Sequence, residues 1–139
     1  MAIVVDTREQ TPYEFSLKTV RSALKAGDYS LEGYEAVMAV ERKGLADLFS
    51  CLGGAKKRFK QQLARLARLR KSALVVDAEV REVLAGYQYS QLPGEEALAR
   101  LISYTSEWGI PVYFAGRRGA VVAAMLLREW QKYVLKPRK

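Results

Sequence analysis

Five residues near the start of the chain carry side chains able to act on one reaction: Asp6, Glu9, Asp28, Glu41 and Lys43. Asp6 ends the apolar run Ala2–Val5, which reads as a buried strand, and Glu9 follows three residues later. Asp28 opens a predicted hairpin, strands 28–31 and 36–43 around Glu32-Gly33-Tyr34-Glu35, and Glu41 and Lys43 lie on its second strand. Side chains alternate along a strand, so Glu41 and Lys43 share a face and Arg42 points away. With Leu31 opposite Ala36, Asp28 falls opposite Ala39 and becomes a diagonal neighbour of Glu41, roughly 7–8 Å away at the backbone. Two carboxylates so placed can share one divalent cation. A one-residue slip would send them to opposite faces. Phosphodiester cleavage needs an attacking hydroxide and neutralisation of the charge that builds on phosphorus. A carboxylate-held metal supplies both, and a lysine beside it can orient the water or stabilise that charge.

Composition narrows the chemistry further. The chain has no His and one Cys, Cys51. That excludes histidine bases, His-ligated metals, zinc-finger sites and an intramolecular disulfide framework. Any metal must be hard and held by oxygen, which points to Mg2+ or Mn2+. The 139 residues suffice for one domain, here taken as 1–135 with a basic tail at 136–139. No apolar stretch approaches the roughly 18 residues of a membrane span, and no export leader is visible. The expected setting is intracellular, away from membranes.

The net charge of +8 is unevenly placed. From Leu48 to Val76 there is no acid, but there are eight bases: Lys56, Lys57, Arg58, Lys60, Arg65, Arg68, Arg70 and Lys71. On a helix over 55–71, Phe59, Leu63 and Leu66 share one face and most bases project from the other. A solvated face usually mixes signs, because like charges one turn apart repel. A one-sign face is the footprint of a phosphate-binding surface, so Lys56, Lys57, Arg58, Lys60, Arg65 and Arg68 are the candidate DNA contacts.

The remaining elements must hold these groups in place. Helices are expected at 17–25, 45–52, 95–108 and 117–134, strands at 73–76 and 110–114, a helical turn at 80–84 and a loop at 87–94. Strands alternating with helices predict an α/β fold with a mixed central sheet flanked by helices. The last helix has no polar residue from Ala120 to Leu127. Covering a sheet requires only one apolar stripe, so Val121, Val122, Met125, Leu126, Trp130 and Tyr133 predict a homodimer packed through this helix and strand 110–114.

Val5-Asp6-Thr7-Arg8-Glu9 resembles the opening motif of the XPF-type structure-specific endonuclease domain. Gly27-Asp28 followed by Glu41-Arg42-Lys43-Gly44-Leu45-Ala46-Asp47 resembles that family's signature, G-D-x(n)-E-R-K-x(3)-D, without a gap or substitution. Ser50, Arg58-Phe59 and Gln62-Leu63 resemble the helix that the family sets beside its active site. The resemblance implies a restriction-endonuclease-like PD-(D/E)xK core, dependent on Mg2+ or Mn2+, that cuts branched DNA near flaps, forks or junctions. It implies that Asp6, Glu9, Asp28 and Glu41 bind metal, joined by the backbone carbonyl of Arg42, and that Lys43 acts on the attacking water. Arg8, Arg42 and Arg58 would contact phosphate or brace the acids. Asp47, in the first turn of the next helix, would support them against an arginine. Family members usually add tandem helix-hairpin-helix domains, which this sequence lacks. Duplex grip would then come from a separate DNA-targeting partner, from the basic helix alone, or from sequence beyond a fragment. Two alternative readings stand beside this one: a non-catalytic DNA-binding or dimerisation subunit of the same fold, and a restriction-like junction resolvase.

Overall fold

In the computed structural model, residues 1–134 are described. Six strands form one mixed sheet in the order β2-β1-β3-β4-β5-β6. The strands are β1 Ile3–Val5, β2 Thr19–Arg21, β3 Tyr29–Leu31, β4 Met38–Lys43, β5 Lys71–Val76 and β6 Val112–Phe114. The helices are α1 Leu45–Leu52, α2 Lys56–Ala67, α3 Val80–Ala85, α4 Gly94–Trp108 and α5 Gly119–Val134. β3 runs antiparallel to both β1 and β4, while the β1–β2, β4–β5 and β5–β6 pairs are parallel.

The sheet is buried on both faces, which explains why β1, β3 and β5 read as near-continuous apolar runs. One face carries Ala39, Leu74 and Val76 against Leu48, Leu52, Phe59, Leu63 and Leu66 of α1 and α2, with α3 and α4 outside. The other carries Ile3, Val5, Tyr29, Leu31, Met38, Val40 and Val75 against Ala123, Leu127 and Trp130 of α5. The predicted face of α2 is the one that is buried: Phe59, Leu63 and Leu66 are each at most 1% exposed.

Three local expectations need correction. The helix expected over 55–71 ends at Ala67, and Lys71 already opens β5. The 17–25 segment is not a helix. Thr19–Arg21 forms β2, because the outer edge of β1 has backbone groups that need partners and β-branched Thr19 and Val20 suit a strand. The chain then turns so that the Leu24 N–H reaches Asp6 Oδ1 at 2.8 Å, a donor that a helix would have consumed. The hairpin register is also displaced by two residues. The turn extends to Val37, closed by Tyr34 N–H to Leu31 O and Met38 N–H to Tyr34 O, because the Tyr34 ring tucks into the α5-side core. Tyr29 therefore pairs with Val40. A shift of two keeps every side chain on its expected face.

α5 buries one stripe, Ala123, Leu127, Trp130 and Val134, and leaves Val121 55% and Met125 58% exposed. Val122, Ala124 and Leu126 are half-buried. The Tyr133 side chain and the basic tail 136–139 lie outside the described residues.

Candidate active site

Register alone builds the site. Val5 pairs with Tyr29 and Tyr29 with Val40. One step further along, Asp6 faces Asp28 and Asp28 faces Glu41. Three carboxylates thus stand in one row across β1, β3 and β4, on the α1/α2 face, with strands spaced roughly 4.8 Å apart. Backbone bonds tie these segments together: Asp6 N–H donates to Asp28 O at 2.9 Å and Asp28 N–H to Val40 O at 2.8 Å.

Gly27 sets this geometry. Its φ is +79°, and a Cβ there would lie 2.6 Å from Ala39 Cβ. Only glycine allows β3 to approach β4 so closely just before Asp28.

The row opens into a cleft of about 240 Å3. Asp6, Arg8, Glu9, Asp28, Glu41, Arg42, Lys43 and Asp47 all line it, as do Lys25, Gln62 and Arg65. Nearly every residue singled out in the first 47 positions is therefore brought to one place. Of the basic-helix residues only Arg65 lines this cleft. Lys56, Lys57 and Arg58 are exposed elsewhere on α2, Arg68 is exposed just after its end, and Lys60 lies 4.5 Å over the Tyr104 ring. Asp47 makes no ion pair with an arginine among the described residues.

The acids differ in how they are satisfied. Asp6 is 2% exposed. Oδ1 accepts from Leu24 N–H at 2.8 Å and Oδ2 from Arg8 Nε at 2.8 Å. Burial works to raise its pKa, but the Arg8 and Leu24 donors outweigh it and hold the carboxyl below its ordinary value. Asp28 Oδ2 accepts from Arg42 N–H at 2.8 Å. Burial and then the Glu41 charge push it up to about 8. Burial also raises Glu41, against the pull of Lys43, whose Nζ lies 3.3 Å from Glu41 Oε2. Lys43 is raised in turn, because the neighbouring Glu41 outweighs its own desolvation.

Glu9 sits at the junction of two clusters. Its Oε2 accepts from the Tyr29 hydroxyl at 2.8 Å and lies 3.8 Å from Arg42 NH1. Arg42 itself turns to the α5 face. Its Nε donates to Asp77 Oδ2 at 2.7 Å, its NH1 donates to Thr11 O at 2.8 Å, and its guanidinium stacks 4.0 Å over the Tyr13 ring. The Tyr13 hydroxyl donates to the other Asp77 oxygen at 2.5 Å. Gly119, opening α5, leaves room for this bond: a Cβ there would lie 2.2 Å from Tyr13 Oη. The sequence reading missed Tyr13, Tyr29, Asp77 and Lys25. Asp77 carried a usable signal, since it ends the buried run Ala73–Val76 as Asp6 ends Ala2–Val5.

Among the described residues no three acids converge closely enough to enclose a metal ion as they stand. The donor chemistry of part of the set nevertheless fits a hard cation. Asp28 and Glu41 are neighbouring oxygen donors that burial keeps raised even with Lys43 beside them. The Gln62 amide oxygen, lining the same cleft, is buried with no hydrogen-bond partner among the described residues.

No curated protein sequence matches the chain. Several solved structures resemble it in fold. XPF from Aeropyrum pernix superposes with a TM-score of 0.72 at 19% identity, covering 100% of this chain and 65% of that one. XPF from Aeropyrum pernix in complex with DNA gives 0.71 at 21% identity, covering 98% and 68%. The chain thus spans about two thirds of these relatives. The shared architecture is the α/β fold of the XPF nuclease domain, with its restriction-endonuclease-like core. The ERCC4 domain model matches residues 5–121, which include the whole acidic row, Lys43 and Asp77, and the chain belongs to the ERCC4 domain family.

Proposed function

We propose that this protein is a divalent-metal-dependent endonuclease that hydrolyses phosphodiester bonds in branched DNA and acts as a homodimer. The observation that carries the reading is the row Asp6–Asp28–Glu41, with Lys43 beside it, at the end of three paired strands. Asp28 and Glu41 would hold the ion, with Asp6 and Glu9 on the same wall. A bound Mg2+ or Mn2+ supplies charge neutralisation at the phosphate and acidifies water at neutral pH. Lys43, kept protonated by Glu41, presents a positive Nζ at the cleft to orient water or meet charge on the phosphate oxygens. Arg8 fixes Asp6, and Arg42 fixes Glu9 from behind. Arg65 brings the basic face of α2 to the cleft rim.

The test is cleavage of labelled flap, fork, four-way and linear DNA with Mg2+, with Mn2+ and with chelator. Metal-dependent cutting that favours a branched substrate is the expected result. No cutting of any substrate with either metal would favour the non-catalytic subunit instead. The dimer rests on Val121 and Met125, exposed on α5, and on Tyr113 of the edge strand β6, 41% exposed. Light scattering should give twice 15.6 kDa, and Val121→Glu with Met125→Glu should give the monomer.

A further inference from the structure

A second depression adjoins the acidic cleft. It holds about 380 Å3, within the roughly 300–1,000 Å3 of small-molecule pockets. It shares Lys25, Ala26 and Arg65 with the cleft, so the two lie side by side. Its character is different. The cleft is walled by acids, whereas here the walls are mostly aliphatic: Ala23, Leu24 and Ala26 from the segment before Gly27, Ala36 from the hairpin turn, and Leu69 after α2. Three bases border it, Lys25, Arg65 and Arg68. All three are exposed, and none makes an ion pair among the described residues. One acid, Glu35, comes from the hairpin turn.

We infer that this groove receives an unpaired DNA strand where it leaves the acidic cleft. The inference rests on the nuclease reading above and deepens it. Paired DNA presents phosphates outward and hides its base faces in the stack, so a purely phosphate-binding surface has no use for an aliphatic floor. An unpaired strand offers both: phosphates for free cations, and bases whose faces gain from apolar contact. Ala23, Ala26 and Ala36 are small, which leaves a flat floor that a planar base can approach. The lone carboxylate of Glu35 repels phosphate. It therefore orders the strand, with phosphates along Lys25, Arg65 and Arg68 and base edges toward the turn. An acceptor there suits an exocyclic amine, as on cytosine.

The test compares affinities by fluorescence anisotropy for a single-stranded oligonucleotide and a blunt duplex of the same sequence, in the parent and two variants. Ala23→Leu with Ala36→Leu fills the floor at exposed positions without changing charge. Arg68→Glu reverses one border charge and tests the same groove independently. In both variants the ratio of single-strand to duplex affinity should fall about tenfold. Equal weakening of both probes would show a general phosphate surface and overturn the groove. An unchanged ratio in both variants would overturn it too, even in a parent that cuts DNA normally. A parent that binds neither probe would overturn the nuclease reading and the groove together, so the two failures are told apart by the parent alone.

Discussion

The two faces of β4 treat charge in opposite ways. On the α1/α2 face, Asp28 and Glu41 are pressed together, and Lys43 is the cation closest to hand. On the α5 face, Arg42, Asp77, Tyr13, Tyr29 and Glu9 form a network in which each group has a partner. Glu41, Arg42 and Lys43 alternate along a single strand, so composition does not separate the two faces. Satisfaction does. A closed polar network holds structure, and its loss leaves buried groups unpaired. A cluster with surplus like charge is unfavourable unless something binds there, and such surplus tends to gather at functional sites.

That contrast can be broken or sharpened by substitution. The largest effect is expected at the unsatisfied face. Glu41→Gln should lower cleavage at least about a hundredfold while the fold and DNA affinity persist, given what metal-centred electrostatics contributes. Activity within threefold of the parent would erase the distinction between the faces. On the satisfied face, Asp77→Ala leaves Arg42 Nε and the Tyr13 hydroxyl without their acceptor. It should cost about 2–3 kcal/mol in urea unfolding, with cleavage well below the melting range changed less than tenfold. A larger loss of activity than of stability would mean that the network belongs to the chemistry.

The third prediction concerns pH. Burial and the Glu41 charge raise folded Asp28 to about 8, from an ordinary value of 3.8. A folded-state pKa above the unfolded one means that the native protein binds the proton more tightly. Stability is therefore lost as pH rises between about 4 and 8, and the full penalty remains above that window. Without added metal, Asp28→Asn should raise Tm by roughly 5 °C at pH 8 and by little at pH 4. An equal shift at both pH values would show that Asp28 carries no charge penalty. The smallest effect is expected on α2. With four to six phosphates met, the log–log salt slope of DNA binding should lie near about −4 to −5, and Arg65→Ala should reduce its magnitude by about 1.

Much of this was legible before folding. Parity along strands predicted that Asp28, Glu41 and Lys43 share a face and that Arg42 does not. It survived a two-residue register error, because an even shift preserves faces. The apolar stripe of α2 was equally plain from its period. What escaped was non-local. β2 forms because the β1 edge needs a partner for its backbone groups, and nothing local to residues 17–25 shows that edge. Tyr34 lengthens the hairpin turn because an apolar pocket lies on the far side of the sheet. Asp77 reaches Arg42 across 35 positions of sequence, a pairing that no local pattern encodes. The same holds for Arg58 and Arg65. One helical face contains both, and only the packing of α2 on the sheet decides that Arg65 reaches the cleft.

Gly27 has a consequence for any survey of variants. It offers no side chain to the reaction, yet any other residue there would push β3 off β4 at Ala39 and carry Asp28 away from Glu41. A saturation screen scored by cleavage alone would rank Gly27 with the acids. Scored also by the amount of folded protein, the same screen would part them: substitutions of Asp28 should accumulate as intact, inactive chains, while those of Gly27 should be depleted.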